Sequence, residues 1–411
     1  MILEPWYPRI IDSTYGGYLS DLEHDWTVSS SPQQKALVQQ ARHLWTTSFI
    51  LENFPQKEDY LEYATHGFRF LQEDMLDKES GGFYYSCSRE GNPAGEMNGE
   101  KRIYGQAFAL YGLSQYYRVS ADPEALELAV RTFRWMDEHA RDPLYGGYFE
   151  HLERDGTPLE RTDARVAGPG DAPATGLKDY NSSIHLMEAL TALYGIWPDT
   201  LVRERLEEMF FLVRDTFVHP DGYLQLFFYP DWSLVPAGLL DELAADGHWY
   251  TQHVTFGHDV ETAFLLLETA AALGMEGDPA TLRIARKLVD HSLEWGWDPV
   301  EGGFFDAGKL TGSGMKIINP HKSWWAQAEG LNALLLMHTL YPDDPAGYYG
   351  YFLKMWEYID RYLIDHQNGG WYNYGLDTFP ENRTQPKSHA WKTTYHNVRA
   401  MTHCIRMLED L

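Results

Sequence analysis

Apolar residues recur along the chain at helical intervals, in stretches that come in pairs. From Lys35, KALVQQARHLWTTSFIL places Leu37, Ala41, Leu44, Trp45 and Phe49 on one stripe at the i, i+3, i+4 rhythm, and YLEYATHGFRFL from Tyr60 repeats it. The pairing continues with YGQAFALYGLSQYY and EALELAVRTFRWMDEH, SSIHLMEALTALYGIW and ERLEEMFFLVRDTF, DVETAFLLLETAAAL and TLRIARKLVDHSLEW, and WWAQAEGLNALLLMHTL and YGYFLKMWEYIDRYL. A last stretch, SHAWKTTYHNVRAMTHCIRML, ends the chain, so eleven helices and a short N-terminal one are expected.

Between the pairs, glycine marks the turns. The segments DSTYGGY, DKESGGF, DPLYGGY, a reduced HPDGY, DPVEGGF and HQNGGW recur roughly 65 to 80 residues apart, room for two helices and their connections. Each is followed by a short alternating segment such as YLQLFFYP, read as a small β-hairpin with the glycine serving a tight turn. Six helix pairs, each with two apolar faces to bury, fit an all-α (α/α)6 barrel with short β-hairpins in its connecting loops. An open superhelix shares the same periodicity. Although 411 residues would allow two or three average domains, the repeat argues for one catalytic domain spanning 1–411.

Composition narrows the chemistry. Sixty acidic against 33 basic residues give a formal charge of -27, which repels phosphate backbones and anionic lipid heads, so neither nucleic acid nor a membrane is an expected partner. No run approaches the roughly 18 apolar residues of a membrane-spanning helix. Two cysteines, Cys87 and Cys404, support neither a disulfide framework nor a four-cysteine zinc site. With no basic stretch leading into an apolar one, the start MILEPWYPRI reads as no secretion signal, and a cytoplasmic protein, monomeric or homodimeric, is expected.

In a ring of helix pairs, the first helices of all pairs run in one direction, and their N-termini gather at one mouth. Arg42, His185, His258, Glu261, Glu329 and His396 all lie on first helices, and the last four sit near N-terminal ends, where the helix dipole favours developing negative charge. Histidines, an arginine and glutamates without an evident metal set suit proton transfer at carbon. The C2 hydrogen of an open-chain sugar is acidified by the C1 carbonyl, and an imidazole can remove it if the enediolate is stabilised, as by a guanidinium. A second imidazole on the opposite face would invert C2; reprotonation at C1 would instead give a ketose. Neither route calls for a cofactor.

The segments FGHDVETAFLLLE, WWAQAEGLNAL, WKTTYHNVRAM, ARHLWTTSF and YGQAFALYGLSQYY resemble, in order and over nearly the full chain, the N-acylglucosamine 2-epimerase superfamily, within it the cellobiose- and mannose-acting members. The resemblance implies an (α/α)6 barrel with His258 and His396 as the general base and acid at C2. It further implies His185 in ring opening and Arg42 on the C1 and C2 oxygens, with Tyr104, Asn181, Glu261, Trp325, Glu329 and Trp391 as polar or stacking positions of the pocket. Glu261, three residues after His258, is placed to orient that imidazole or to bind a hydroxyl. Cellobiose-acting members usually carry a second histidine where this chain has Ser183, and Gly-Pro where it has Thr393 and Thr394. These departures point to a small monosaccharide substrate, the D-mannose and D-glucose pair. Cellobiose epimerisation and mannose-to-fructose isomerisation are the alternatives.

Three other classes compete. The evenly spaced His248, His253 and His258 suggest a metal site, but a spacing of five does not align ligands on a helix. A glycoside hydrolase could use Asp259, Glu261 and Glu329 but would leave the histidines without a task. A non-catalytic sugar-binding protein would keep the aromatic wall alone. The polar segment 161–180, leading into the helix of His185, is a candidate lid or an inert surface loop.

Overall fold

The computed structural model describes residues 2–94, 99–159, 175–236, 253–312 and 314–411. Among these, eleven α-helices form: α1 (Leu37–Asn53), α2 (Asp59–Phe70), α3 (Ile103–Ser120), α4 (Pro123–His139), α5 (Tyr180–Ile196), α6 (Thr200–Leu212), α7 (Phe256–Ala272), α8 (Pro279–Trp295), α9 (Trp324–Leu340), α10 (Tyr348–Tyr358) and α11 (Tyr395–Asp410). The odd-numbered helices make an inner ring in which α1 packs on α3, α3 on α5, α5 on α7, α7 on α9, α9 on α11, and α11 returns to α1. The even-numbered helices lie outside, each against its predecessor. The chain thus forms the closed (α/α)6 barrel and not the open superhelix. None of the described helices is long and apolar enough to cross a membrane.

Sequence explains which helices go inside. On α1, every residue from Leu37 to Ile50 is buried, whereas α4 buries only one face, at Ala125, Leu128, Ala129, Thr132, Phe133, Trp135 and Met136. A helix buried on every side, here with polar residues such as Gln39, Gln40 and Arg42 among its buried set, stands between neighbours, and one that buries a single stripe stands at the surface. The inner ring is tight enough to require glycine: a Cβ on Gly112 would lie 2.8 Å from the carbonyl oxygen of Ala41 on α1. Three outer helices end in a π-turn, at Leu71–Met75, Val213–Phe217 and Ile359–Leu363, immediately before a glycine hairpin.

The expected N-terminal helix does not form. Residues 3–10 make successive turns, with Tyr7 N–H donating to Leu3 O at 3.0 Å and Ile10 N–H to Trp6 O at 2.8 Å. Pro5 and Pro8 contribute no N–H, and a proline inside a helix also collides with the preceding turn. The segment packs on α1 and α2, Tyr7 against His43, Tyr60 and Tyr63, and leads into the first glycine hairpin as each outer helix leads into its own.

The connections form a second ring at the mouth. The strand before each inner helix pairs antiparallel with the hairpin of the next repeat: β1 (Lys35–Ala36) with β2 (Ser86–Cys87), β3 (Lys101–Arg102) with β4 (His151–Leu152), β5 (Lys178–Asp179) with β6 (Phe227–Phe228), and β7 (Val254–Thr255) with β8 (Ala307–Thr311). Strand β9 (Gly314–Asn319) adds to β8. Single bridges Ser323 to Tyr374 and Leu22 to Ser388 complete the set, the last joining the two ends of the chain.

The glycine signature has a structural cause. In five of the six repeats an aspartate opens the turn: Asp12, Asp77, Asp142, Asp298 and Asp365 each accept two backbone N–H bonds from within it. The other carboxylate oxygen meets a buried lysine two residues before the inner helix in four repeats, Lys35, Lys101, Lys178 and Lys322, and Lys387 in the last. Five residues after Lys35, Lys101 and Lys322, the amides of Gln40, Gln106 and Gln327 bond both backbone groups of the residue following the glycines. Gly17 sits at φ +62°, and a Cβ there would lie 2.6 Å from the Gln40 amide oxygen, which is why the turn keeps glycine. The fourth repeat carries His219 and Val254 in place of the aspartate and lysine, so both charges leave together, and Asp259 stands at the glutamine position, accepting Leu224 N–H at 2.9 Å.

Breaking one such pair strands a buried charge. Lys387→Met, which uncovers Asp365, should cost about 3–5 kcal/mol. The double variant with Asp365→Asn, matching the charge-free fourth repeat, should cost clearly less. Urea midpoints measure both, and a double variant no more stable than Lys387→Met would contradict the account.

Candidate active site

The inner-helix N-termini and the connections above them enclose a cavity of about 290 Å3. Of the ten residues singled out in the sequence, nine line it: Arg42, Tyr104, Asn181, His185, His258, Glu261, Trp325, Trp391 and His396. Trp391 is 42% exposed at the mouth. Glu329 is not on the wall; it lies one layer behind, against His396. The chain folds this way locally because short β-pairs deliver each helix start to the same rim. Asp179 caps α5 by accepting Ser182 N–H at 2.8 Å, and Glu150 accepts Tyr104 N–H at 2.9 Å and the Ser182 hydroxyl at 2.8 Å, tying α3 to α5.

Each imidazole is held from behind by its Nδ1. His185 Nδ1 is 2.9 Å from Glu188, His396 Nδ1 is 2.7 Å from Glu329, and His258 Nδ1 is 3.0 Å from the Tyr180 hydroxyl and 3.1 Å from the Thr255 hydroxyl. With Nδ1 engaged, Nε2 is the ring atom turned to the cavity; the carboxylates behind His185 and His396 favour Nδ1–H there, while the hydroxyls behind His258 suit either tautomer. Trp325 spans the pair, its ring 4.5 Å from that of His258 and 5.6 Å from that of His396. Arg42 donates to Tyr104 Oη at 2.9 Å and Trp391 O at 3.2 Å and lies over Phe108, which leaves guanidinium donors for sugar oxygens.

Behind this wall lies a charge cluster. Arg399, 1% exposed, donates to Glu188, Glu261 and the Tyr395 hydroxyl, and to Glu329 at 2.6 Å. Burial raises the Glu188 carboxyl, but Arg399 and His185 outweigh it and hold it down at about 2. For Glu329 burial prevails over Arg399, and the carboxyl is pushed up to about 7. Burial carries both His258 and His396 well below the ordinary imidazole value, with Arg42 close to each adding to the effect. Glu261, Glu329 and His396 place one donor atom each within 4.8 Å of one another, a spacing that could hold a cation; the Arg399 guanidinium bonds both carboxylates and supplies that charge.

One expectation changes, and one rival reading loses its residues. Glu261 does not serve His258 as the helical spacing suggested: its Oε1 accepts from Arg399 and lies 3.7 Å from His396 Nδ1. Three residues along one helix bring side chains near each other, but the facing helix decided which imidazole the carboxylate meets. The hydrolase set also disperses, since Asp259 bonds the fourth hairpin, Glu329 sits behind His396, and only Glu261 of the three reaches the cavity. His248 and residues 161–174 of the candidate lid lie outside the described residues, while 175–180 form the turn, β5 and the start of α5. Sequence reasoning missed Arg399, Glu188 and Tyr180. Glu188 was findable as the i+3 partner of His185 on one helix face.

A model of the family described as N-acylglucosamine 2-epimerase matches residues 17–400. The chain belongs to that family. It is 31% identical over 411 residues to a cellobiose 2-epimerase of Bacteroides fragilis, covering 100% of this chain and 96% of that protein. It is 24% identical to a D-mannose isomerase of Marinomonas mediterranea, covering 99% and 94%. The solved cellobiose 2-epimerase of Spirochaeta thermophila superposes with a TM-score of 0.80 at 28% identity, over 98% of this chain and 92% of that one. This member of the N-acylglucosamine 2-epimerase family is a carbohydrate epimerase or isomerase on a shared (α/α)6 barrel.

Buried neutral histidines also give the barrel a pH dependence. Burial depresses His43 to about 3 and His291 to about 4, against about 6.5 unfolded. The folded state then holds fewer protons than the unfolded one, so stability is full above about pH 6.5 and falls as pH drops toward 4, by about 1.4 kcal/mol per pH unit for each histidine. Urea midpoints from pH 7 to pH 4.5 should decline, and His43→Gln should flatten the slope; a level profile would contradict it.

Proposed function

We propose that the protein interconverts D-mannose and D-glucose at C2, on a chain acting as one catalytic domain and without a cofactor. The observation that carries this is that His258 and His396, borne by α7 and α11, face one cavity across Trp325. His185 assists ring opening. One imidazole Nε2 then takes the C2 proton, the electron pair moves toward C1 to give an enediolate, and Arg42 stabilises its oxygens. The other imidazole returns a proton to the opposite face, so one bond to hydrogen breaks and one forms. A cavity of about 290 Å3 is at the small end for ligand pockets and suits a monosaccharide.

Cellobiose 2-epimerisation is the second reading, favoured by the 31% identity to the Bacteroides fragilis protein. Incubation with D-mannose, D-glucose and cellobiose in heavy water, followed by NMR, separates the readings. Deuterium at C2 of glucose formed from mannose is expected. Conversion of cellobiose alone would move the substrate to the disaccharide, and fructose as the main product would make the enzyme an aldose–ketose isomerase.

A further inference from the structure

The glycine hairpins also furnish part of the cavity wall. The third residue after the second glycine is Tyr85, Glu150, Asp306 and Asn373 in four repeats, and all four line the cavity. In three of them the backbone carbonyl of that residue accepts the first N–H of an inner helix: Tyr85 O from Leu37 at 2.9 Å, Glu150 O from Ile103 at 3.0 Å and Asn373 O from Trp324 at 3.0 Å. The backbone of this position serves the barrel and its side chain serves the cavity, so the wall changes chemistry from repeat to repeat on one unchanged frame. At Glu150 the position carries a carboxyl group that is 3% exposed. Both of its hydrogen bonds, from Tyr104 N–H at 2.9 Å and the Ser182 hydroxyl at 2.8 Å, fall on Oε2 and fix it between α3 and α5. Oε1 takes neither bond, and it is not sealed off, so the surface it keeps lies on the cavity wall.

We propose that Glu150 is a specificity-determining residue: Oε1 accepts a hydrogen bond from one hydroxyl of the sugar in this cavity, while Oε2 holds the carboxyl in place. The proposal rests on the reading of the cavity as a monosaccharide site. An ionised carboxyl only accepts, and a sugar presents hydroxyl donors around its ring. Burial holds the Glu150 carboxyl above its ordinary value against the pull of His151, Arg102 and the two hydrogen bonds, so one more donated bond favours the ionised form further. A sugar without the matching hydroxyl leaves a buried carboxylate oxygen without a donor, and that mismatch is what discriminates.

Glu150→Gln tests this with little change of shape. Its amide oxygen can still accept from Tyr104 and Ser182, and its amide nitrogen then turns a donor to the cavity where an acceptor stood. Trp324, Trp325 and Trp391 line the cavity, so tryptophan fluorescence reports binding without turnover. The ligands are D-mannose and its monodeoxy forms, lacking the hydroxyl at C1, C2, C3, C4 or C6. Glu150→Gln should weaken D-mannose binding by about tenfold, the scale of one hydrogen bond to a charged group. With a single deoxy sugar, itself bound about tenfold more weakly by the wild type, the substitution should cost less than about twofold. An equal loss with every sugar would make Glu150 a brace for α3 and α5 only and overturn the proposal, as would no loss with D-mannose. Glu150→Asp, which keeps the charge but draws it back by one methylene, is read by the same comparison and stands in if Glu150→Gln does not fold. If the wild type binds D-mannose but never epimerises it, the C2 reading has failed while the comparison still judges Glu150; if it binds no D-mannose, both fall.

Discussion

Asparagine in place of His396 should lower epimerisation by at least about a hundredfold, the scale of losing a general acid or base. It should also leave exchange of the C2 hydrogen from one epimer intact. His258→Asn should do the same for the other epimer. The reason is geometric. Each imidazole sits on its own inner helix with Nδ1 engaged, and in the proposed mechanism each Nε2 serves one face of the substrate carbon. With one base gone, the remaining one can still remove and return the proton on its own face, producing exchange without inversion. Proton NMR in heavy water reads turnover and exchange in one sample. If both variants lost exchange from both epimers equally, the division of faces would be wrong; if both retained full turnover, neither histidine would be a base.

Arg399→Met should cost at least as much stability as the loss of Lys387. Three buried carboxylates, Glu188, Glu261 and Glu329, converge on this guanidinium. Removing one partner of a buried ionic set costs about 3–5 kcal/mol, because the remaining charges have neither water nor a counter-ion. For a domain of ordinary marginal stability that is a large share of the total. Arg399→Lys should recover part of the loss by restoring charge without the planar fork that reaches several carboxylates at once. Adding Glu261→Gln to Arg399→Met should also recover part, since it deletes one stranded charge. Urea denaturation followed by circular dichroism gives the midpoints. An unchanged midpoint for Arg399→Met would mean that the carboxylates are compensated elsewhere.

The cluster also shows where reading the sequence stops. His185 and Glu188 share a helix, and their pairing follows from a spacing of three. Arg399 meets Glu188 across 211 positions and Glu329 across 70, and no local pattern announces either contact. Glu261 illustrates the same limit in reverse: its spacing from His258 was right for contact, and the contact went to Arg399 and His396 instead. The lysine and glutamine behind the glycine turns lay in between. Their five-residue spacing recurs at Lys35 and Gln40, Lys101 and Gln106, and Lys322 and Gln327 and could have been read with the glycines, but what they bind could not.

The order of residues alone determined the helix pairs, the sixfold count and the gathering of the histidines, the arginine and the glutamates of the first helices at one rim. These depend on periodicity and on turn chemistry, which act over a few neighbouring residues. Closure of the ring was decided only in three dimensions, where Leu22 meets Ser388 and α11 returns to α1. So was the backing of each imidazole, carboxylate for His396 and hydroxyl for His258. Contacts between distant segments are selected by packing and by the cost of leaving a buried charge or polar group unmatched, and that selection takes place only when the whole barrel has assembled.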